Sequence, residues 1–277
     1  MPEGHTIHKL ARDLGDAFMG TAPMVSSPQL RFADGAALLD GQPVERSDAW
    51  GKHLFVDFGA DLRLHVHLGL IGIFSVDSIP AGASVPPVRG QVRLRIETDV
   101  HVADLRGPII CSVLTPDEVA AVVARQGPDP LRAGEADPDR AWAMIHRSKR
   151  SIAELLMDQK VLAGVGNVYR SEVLFRHRVG PKFAGNRIKR HTWQAMWDDL
   201  VMLMPIGVFT GRIITHEDQV TKVLQQVALD LPVKPGRRSY YAYKRTGQPC
   251  LRCASTIQTA VVAGRNLFWC ANCQRRT

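Results

Sequence analysis

Residues 250–273 read CLRCASTIQTAVVAGRNLFWCANC, and this stretch holds two Cys-x2-Cys pairs separated by sixteen residues. Each pair can form a tight knuckle that brings two sulfurs to one ion. The spacing therefore predicts that Cys250, Cys253, Cys270 and Cys273 bind one structural Zn²⁺ tetrahedrally. The alternative is two disulfides, which a reducing compartment disfavours. Four thiolates leave no open coordination position, so the metal is expected to fold the tail rather than to do chemistry.

The sequence between the two cysteine pairs predicts a β-hairpin. Its expected strands are Ile257–Val262 and Asn266–Trp269, with the turn at Gly264-Arg265. Arg265 is the only charged residue between the two pairs, which makes it a candidate binding group. The tail from about residue 238 is too short to form a hydrophobic core of its own. It therefore needs a crosslink or a bound metal ion in order to fold.

The charge of the chain is concentrated in its C-terminal part. The whole sequence has a net charge of +8, and Leu231–Thr277 contains nine Lys or Arg residues and no Asp or Glu. The rest of the chain holds 26 basic and 27 acidic residues, so it is close to neutral. A segment that carries only positive charges, in a chain that is otherwise nearly neutral, indicates a polyanionic partner. A solvated basic tail is the alternative.

Length and composition exclude several classes of protein. A chain of 277 residues fits two or three domains, and 45% apolar residues are enough for an ordinary core. The sequence has no run of eighteen apolar residues, so no membrane span is expected. Residues 1–5 (MPEGH) do not begin a basic region followed by an apolar stretch, so no signal peptide is expected. These features predict a cytoplasmic protein of the reducing nucleoid space.

The order of patterns along the chain indicates its domains. Residues 4–19 have the spacing of one amphipathic helix. Residues 21–113 contain short alternating segments, which predict a β-sandwich or a β-barrel. Gly127–Pro130 (GPDP) breaks this pattern, and apolar stripes at helical spacing follow it. The predicted domains are a catalytic domain over 1–126, a helical domain over 127–237 and a zinc finger over 238–277.

A glycine-rich turn lies in the predicted helical domain. Ser151–Gln159 and Val168–His177 are predicted short helices, and the segment Lys160–Asn167 (KVLAGVGN) joins them. Glycines let the backbone approach a ligand closely, Asn167 suits a helix N-cap, and a helix N-terminus attracts anions. A simple packing turn between two helices is the alternative.

The N-terminus offers a reactive amine. Removal of Met1 would expose Pro2 as a secondary amine. An α-amino group titrates near about 8, against about 10.4 for lysine, so far more of it is unprotonated at neutral pH. Such an amine can attack a sugar aldehyde carbon and form an iminium, while Glu3 moves protons. Alternatively, Pro2-Glu3 merely begins a helix, because both residues suit a first turn.

Four motifs in one order extend across nearly the whole chain. They are MPEG at 1–4, WGKHL at 50–54, LMDQKVLAGVGNVY at 156–169 and GRNLFWC at 264–270. In this combination the sequence resembles the formamidopyrimidine-DNA glycosylase/endonuclease VIII family of bacterial base-excision enzymes. The zinc finger and the Gly-Val-Gly-Asn turn are the most specific parts of the resemblance.

The resemblance implies an α+β multidomain fold: a leading helix with an N-terminal β-sandwich, a helix–two-turn–helix domain, and a C-terminal zinc-finger β-hairpin. It implies a bifunctional DNA glycosylase/AP lyase that acts on damaged DNA as a monomer. Pro2 would attack C1′ of the damaged nucleotide, Glu3 would be the general acid/base, and β,δ-elimination would cut the strand. Lys52, Asn167 and Arg265 match the family's phosphate-gripping positions. Lys52 is also the second candidate nucleophile.

Two departures from the family pattern bear on the substrate. Thr6 stands where many members have an acid, which leaves one fewer carboxylate near the lesion. Asp104–Pro108 (DLRGP) matches a loop that carries Arg and Phe in the purine-specific branch, and here it has no aromatic residue. Leu70, with Ile71, offers an apolar wedge for the space left by a flipped base. These features favour the endonuclease VIII branch and oxidised pyrimidine substrates.

Other residues and other functions remain as alternatives. His65 and His67 alternate on a predicted strand and are interpreted as structural, and Cys111 as a buried inert thiol. One rival function is a non-catalytic zinc-containing protein that binds nucleic acid. A second rival is a family member that binds lesions without cutting.

Overall fold

The computed structural model describes residues 2–233, 236–237 and 239–277. The expected removal of Met1 and the predicted domain start at residue 238 lie outside the described residues. The chain divides into two compact units, one ending at Arg125 and the other comprising Gln126–Thr277. The predicted division into three domains stays a prediction.

The N-terminal unit combines one long helix, two short helices and two antiparallel sheets. One sheet has the strand order β1-β6-β7-β5 and the other has the order β2-β3-β4-β8. The elements in chain order are α1 (Gly4–Phe18), β1 (Met24–Ser26), α2 (Ala33–Leu39), β2 (Val44–Trp50), β3 (His53–Phe58), β4 (Leu62–His67), β5 (Ile73–Ser78), β6 (Leu94–Glu97), β7 (His101–Arg106), β8 (Ile110–Leu114) and α3 (Pro116–Ala124).

The β-sandwich prediction is confirmed, and the barrel alternative is wrong. The apolar faces of both sheets contribute to one buried core, which includes Leu54, Leu64, Leu94 and Leu105. This arrangement buries one face of each sheet and explains the alternating sequence pattern, because successive side chains of a strand point to opposite faces.

The predicted leading helix is confirmed as α1. Its buried side chains recur at helical spacing and include Ile7, Leu10, Leu14 and Phe18. They join the sandwich core, and the helix packs against β2 and β3. The apolar stripe therefore fixes one end of this helix beside the sheets, which sets the position of the residues just before Gly4.

The C-terminal unit is helical up to Ala228, and a β-hairpin begins at Gln258. One of the apolar stripes expected after residue 130 contains Trp193 and Trp197, and both side chains are buried. The elements are α4 (Pro138–His146), α5 (Ile152–Leu155), α6 (Asn167–Arg176), α7 (Arg190–Thr210), α8 (Glu217–Ala228), β9 (Gln258–Val262) and β10 (Arg265–Trp269), with 3₁₀ turns at Pro130–Arg132 and Gly185–Arg187. Among the described residues, no helix is long and apolar enough to cross a membrane.

The predicted first helix of the glycine-rich segment is shorter than expected. It was predicted over Ser151–Gln159, but α5 covers only Ile152–Leu155 after a capping box formed by Ser151 and Glu154. The Gln159 side chain donates to the carbonyl of Val165 at 3.0 Å and accepts from the amide of Gly164 at 3.1 Å. Gln159 also donates to the carbonyl of Met157 at 2.9 Å, so its side chain holds the backbone in a turn from Met157 to Val165.

The hairpin packs on α6 and shares its core. Phe175 of α6 lies in one apolar cluster with Tyr241, Ile257 and Phe268. Leu267 and Trp269 of β10 belong to the main helical core. The short tail is therefore stabilised by helical residues as well as by its cysteines.

A buried carboxylate anchors the segment that leads into the hairpin. Glu172 of α6 is completely buried and accepts hydrogen bonds from the backbone amides of Tyr241, Ala242 and Tyr243 at 2.8–3.0 Å. The hydroxyl of Thr215 donates a further bond at 2.7 Å. Four donors offset the cost of burying this charge, so Glu172 fixes where the tail leaves the helices.

Candidate functional site

The four predicted zinc ligands lie together in the tail. The Sγ atoms of Cys250 and Cys273 are 3.9 Å apart, those of Cys253 and Cys270 are 3.5 Å apart, and all four lie within 4.8 Å of one another. Tetrahedral zinc with Zn–S bonds of about 2.3 Å separates its sulfurs by about 3.8 Å. All four cysteines are free thiols, so the disulfide alternative is not formed.

The electrostatics of this cluster also fit a divalent cation. Hydrogen bonds from Ser255 and Asn272 lower the pKa of Cys253 to about 5. Burial, together with the neighbouring sulfurs, raises the pKa of Cys270 and Cys273. Four adjacent thiolates repel one another unless a cation neutralises them, and metal binding supplies that charge. The four cysteines of the tail form a structural zinc site, in which no coordination position is left for a substrate.

The hairpin carries Arg265, but not at the predicted position. The predicted turn at Gly264-Arg265 is wrong: Arg265 pairs with Val262, and the two-residue turn is Ala263-Gly264. Both turn residues have positive φ, 52° for Ala263 and 71° for Gly264, as a type I′ hairpin turn requires. Arg265 is therefore the first residue of β10, where the strand pairing constrains its backbone.

The glycine-rich turn places Asn167 at the start of α6. The predicted N-cap role of Asn167 is wrong, because Gly166 is the N-cap and Asn167 is the first helical residue. Its side-chain amide donates to the backbone carbonyl of Asn266 at 2.9 Å. Its carbonyl oxygen accepts from the guanidinium of Arg170, and the side chain is only 5% exposed. Asn167 thus joins the helical turn to β10 next to Arg265.

Pro2 and Glu3 lie directly before α1. Glu3 is the N-cap of α1, but its side chain makes no cap hydrogen bond, and Pro2 precedes the helix. Neither residue therefore occupies the first turn, where proline and acids are common. Glu3 is completely buried. Burial of a carboxylate costs free energy unless protein groups hydrogen-bond or pair with it, so the surroundings of Glu3 must compensate its charge when it is ionised.

Lys52 occupies a tight turn between β2 and β3. Trp50 pairs with His53, so Gly51-Lys52 is a two-residue hairpin turn, and Gly51 has a φ of 59°. Glycine adopts this left-handed conformation at low cost, which places Lys52 at the tip of the hairpin. The Lys52 charge contributes to lowering the pKa of both His53 and His67, so the lysine lies beside these rings.

Leu70 lies on an exposed turn between β4 and β5. Its side chain is 53% exposed, and that of Ile71 is 83% exposed. On the other predicted loop, Arg106 donates to Asp104 at 2.8 Å and to the carbonyl of Arg89 at 3.2 Å. Asp104–Arg106 therefore belong to β7 rather than to a loop, and the Arg106 guanidinium is engaged by protein groups, whereas Leu70 and Ile71 remain accessible for a wedge role.

A cluster of three histidines went unnoticed in the sequence. The His53 ring lies 5.1 Å from that of His65 and 4.9 Å from that of His67. Burial, with the neighbouring His67, lowers the pKa of His65 to about 4. Burial, followed by the neighbouring charges, lowers the pKa of His53 to about 3. The alternation of His65 and His67 was visible, but only the pairing of β3 with β4 brings His53 to them.

Comparison with known proteins matches three segments of the chain to known domains. Residues 1–109 match the formamidopyrimidine-DNA glycosylase N-terminal domain, residues 126–219 match the formamidopyrimidine-DNA glycosylase H2TH domain, and residues 247–276 match the zinc finger found in FPG and IleRS. The described cysteine cluster falls within the last of these matches.

Individual relatives agree with this result. "Endonuclease 8 1" of Mycobacterium tuberculosis is 47% identical over 274 residues, which cover 99% of this chain and 100% of the relative. "Endonuclease 8" of Pectobacterium carotovorum is 26% identical, with 99% and 100% covered. The solved structure of a Lactococcus lactis Fpg complex with abasic-site DNA has the same fold, with a TM-score of 0.77 at 20% identity over 99% of this chain and 100% of that one.

The sandwich, the helix–two-turn–helix and the four-cysteine hairpin together define a zinc-containing DNA glycosylase/AP lyase of base excision repair. The chain belongs to the formamidopyrimidine-DNA glycosylase/endonuclease 8 family. The predicted family, fold, enzyme class and zinc are thereby confirmed, and the non-catalytic rival is set aside.

Proposed function

We propose that the protein excises oxidised pyrimidines from damaged DNA, with the amine of Pro2 as nucleophile and Glu3 as general acid/base. The observation that carries this proposal is the complete burial of the Glu3 carboxylate beside Pro2, where it does not cap α1. A buried carboxylate next to an amine can take up and return protons without competition from water. Pro2 itself remains partly exposed.

The chemistry balances with these two groups. The unprotonated Pro2 nitrogen forms a bond to C1′, and the glycosidic bond breaks with its electron pair leaving on the base, which is protonated. The Pro2 nitrogen gives up its proton, and the sugar ring opens at O4′, which takes up a proton, to give an iminium between Pro2 and C1′. Loss of a C2′ proton then expels the 3′ phosphate, and loss of a C4′ proton expels the 5′ phosphate. Water hydrolyses the iminium and releases Pro2 and the sugar fragment. Glu3 is placed to move these protons.

DNA binding is assigned to Lys52, Asn167 and Arg265. Lys52 stands at a hairpin tip, and Arg265 begins a paired strand, so both cations are held by rigid backbone. Asn167 positions the start of β10 through Asn266 and leaves little of its own side chain exposed. Lysine and arginine on rigid elements suit phosphates, with arginine able to bind two oxygens at once.

The preference for pyrimidines is proposed from the resemblance to the endonuclease VIII branch, since Asp104–Pro108 has no aromatic residue and Leu70 lies on an exposed turn. Extrusion of a base leaves a gap in the stack, and an apolar side chain can fill that gap. The relative from M. tuberculosis bears the name of the endonuclease 8 group, which agrees with this substrate class. Because one chain carries every proposed site residue, we propose that the enzyme acts as a monomer on the chromosome in the cytoplasm.

Borohydride reduction tests the proposal. The protein is mixed with matched duplexes that contain thymine glycol, 8-oxoguanine, an abasic site or no lesion, and covalent complexes are separated by denaturing electrophoresis. We expect trapping on thymine glycol well above that on 8-oxoguanine, and none on intact DNA. Equal trapping on both lesions would contradict the pyrimidine preference. Absence of trapping on any lesion and on an abasic site would contradict the lyase chemistry.

A further inference from the structure

His67, the last residue of β4, holds the turn that carries Leu70. The Nδ1 atom of His67 accepts a hydrogen bond from the backbone amide of Gly69 at 3.0 Å. The turn closes with a bond from the amide of Gly72 to the carbonyl of Leu68 at 3.0 Å. Since a backbone amide can only donate, the Nδ1 atom must be unprotonated for this contact to exist.

The backbone of His67 also holds a second exposed turn. Its carbonyl accepts from the amide of Ile109 at 2.9 Å, in the turn between β7 and β8. The Ile109 side chain lies against Gly69, so closely that a Cβ atom on Gly69 would lie 2.7 Å from it. The two turns are therefore packed side by side. Their apolar side chains are open to solvent, with exposures of 53% for Leu70, 83% for Ile71 and 67% for Ile109.

The His67 ring is fixed by the histidine cluster and lies near a cation. His53 packs edge-on against it with ring centroids 4.9 Å apart, and the Nδ1 atom of His53 lies 2.9 Å from the Nε2 atom of His65. The groups that face this cluster are Lys52 at the hairpin tip and Arg125 after α3. Burial, followed by the Lys52 charge, lowers the pKa of His67. The ring thus stays neutral at physiological pH.

We infer that His67 is a positioning residue that holds the two turns together as one apolar wedge, and that Ile109 is a third wedge residue beside Leu70 and Ile71. This inference rests on the proposed function, because a wedge is needed only where a base leaves the stack. Ordering side chains and loops on binding costs free energy. Exposed apolar side chains therefore gain more binding free energy from contact with base faces when they are already ordered. The Nδ1 bond and the Gly69–Ile109 packing supply that order beforehand.

Protonation of the ring breaks this arrangement. In an imidazolium the Nδ1 atom carries a proton and has no free lone pair. It therefore cannot accept the hydrogen bond from the amide of Gly69, and the two protons face each other. The Leu70 turn loses its anchor as the pH falls through the pKa of His67. Extrusion of a base should therefore fail in acid before chemistry at a preformed abasic site does, since no base has to leave the stack there.

The test compares His67→Asn with His67→Leu. The Oδ1 atom of Asn reproduces the position of Nδ1 and accepts from Gly69 without titrating, whereas Leu has no acceptor. Excision of thymine glycol and cleavage of a preformed abasic site are measured under single-turnover conditions between pH 5 and pH 8. We expect His67→Leu to slow excision about tenfold, as loss of one hydrogen bond predicts, and to leave abasic-site cleavage nearly unchanged. His67→Asn should excise normally at pH 8, and its ratio of excision to abasic-site cleavage, in which the titration of Pro2 cancels, should not fall with pH.

Ile109 is tested in the same assays with a matched turn residue as control. Ile109→Ser should slow excision and spare abasic-site cleavage, while Val100→Ser, at a residue that is 56% exposed in the β6–β7 turn, should change neither. Equal loss of both reactions in His67→Leu, or no advantage of His67→Asn over His67→Leu, would overturn the positioning role. Unchanged excision in Ile109→Ser would overturn its place in the wedge.

Amide exchange of Gly69 separates this inference from the proposed function. It is measured by NMR on DNA-free protein, so it does not depend on any activity. Faster exchange in His67→Leu, with protection kept in His67→Asn, supports the anchor, and equal exchange in both overturns it. If the unsubstituted protein excises no base, the proposed function and the wedge role fail together, while the exchange result still decides what His67 does to the turn.

Discussion

The side-chain amide of Asn167 donates to the backbone carbonyl of Asn266 at 2.9 Å, although the two residues are 99 positions apart in the sequence. This bond joins the first residue of α6 to the second residue of β10. Arg265, the proposed phosphate ligand, directly precedes Asn266. The bond therefore ties the glycine-rich turn to the zinc hairpin within the C-terminal unit.

Replacement of Arg265 tests the hairpin as a DNA-gripping element. Arg265→Ala should weaken binding on all sequences and lower the slope of log K against log salt by about one, because one phosphate contact is lost. Arg265→Lys should restore the slope but only part of the affinity, since a lysine cannot bind two phosphate oxygens in parallel. The rate of base excision should fall by a larger factor than the affinity for DNA. Arg275→Ala, at an exposed arginine of the same tail, is the control, and equal slopes for it and Arg265→Ala would contradict this role.

Removal of the Glu3 charge tests its proton-transfer role. Glu3→Gln keeps the shape of the buried side chain, so lesion affinity should persist while base excision falls by about 10²–10⁴-fold, the usual contribution of general acid/base catalysis. Excision is measured in single turnover and affinity by titration with a non-cleavable lesion analogue. An unchanged excision rate in Glu3→Gln would show that this carboxylate only supports the start of α1.

Removal of zinc should unfold the tail and leave the helices intact. Chelation, or Cys253→Ser, is expected to disorder residues 245–277 and to weaken DNA binding, because the tail has little core of its own. Phe175 and Glu172 belong to α6 and should keep their helical signals in NMR spectra. Cys111→Ser, at a thiol outside the cluster, is the control. A fully ordered tail in metal-free protein would contradict a structural role for the metal.

The histidine cluster predicts acid lability of the N-terminal unit. The pKa of His53 is lowered to about 3 and that of His65 to about 4, while unfolded histidines titrate near 6.5. Between these values the unfolded chain binds more protons than the folded one. The contribution of the two neutral histidines to the free energy of unfolding should therefore be complete above pH 6.5. It should decrease as the pH falls toward 4, by up to about 1.4 kcal/mol per pH unit for each histidine.

Urea unfolding at pH 7, 6 and 5 measures this dependence. His65→Gln should reduce the slope of stability against pH, whereas His191→Gln, at an exposed histidine of the other unit, should not. Stability that is independent of pH between 7 and 5 would contradict the neutral state assigned to the cluster.

Local patterns in the sequence were sufficient for the zinc ligands and α1. The two zinc knuckles can be predicted from the spacing of their cysteines alone, and an amphipathic helix can be predicted from the spacing of its apolar residues. The hairpin turn was misplaced by one residue because Ala263 adopts a positive φ, which its residue type does not signal. The length of α5 and the role of Asn167 depend on the Gln159 and Asn266 contacts. The histidine cluster depends on strand register, and such long-range contacts leave no trace in a single sequence.

Mapping of the covalent bond to DNA tests the central claim most directly. The protein is trapped with borohydride on abasic-site DNA, digested with protease, and the DNA-linked peptide is sequenced by mass spectrometry; Pro2→Gly and a chain with one residue added before Pro2 are treated in parallel. We expect the DNA on the nitrogen of Pro2 in the unsubstituted protein, and severely reduced trapping but retained DNA binding in both variants. Undiminished trapping with a blocked N-terminus, or DNA attached to Lys52, would contradict the account.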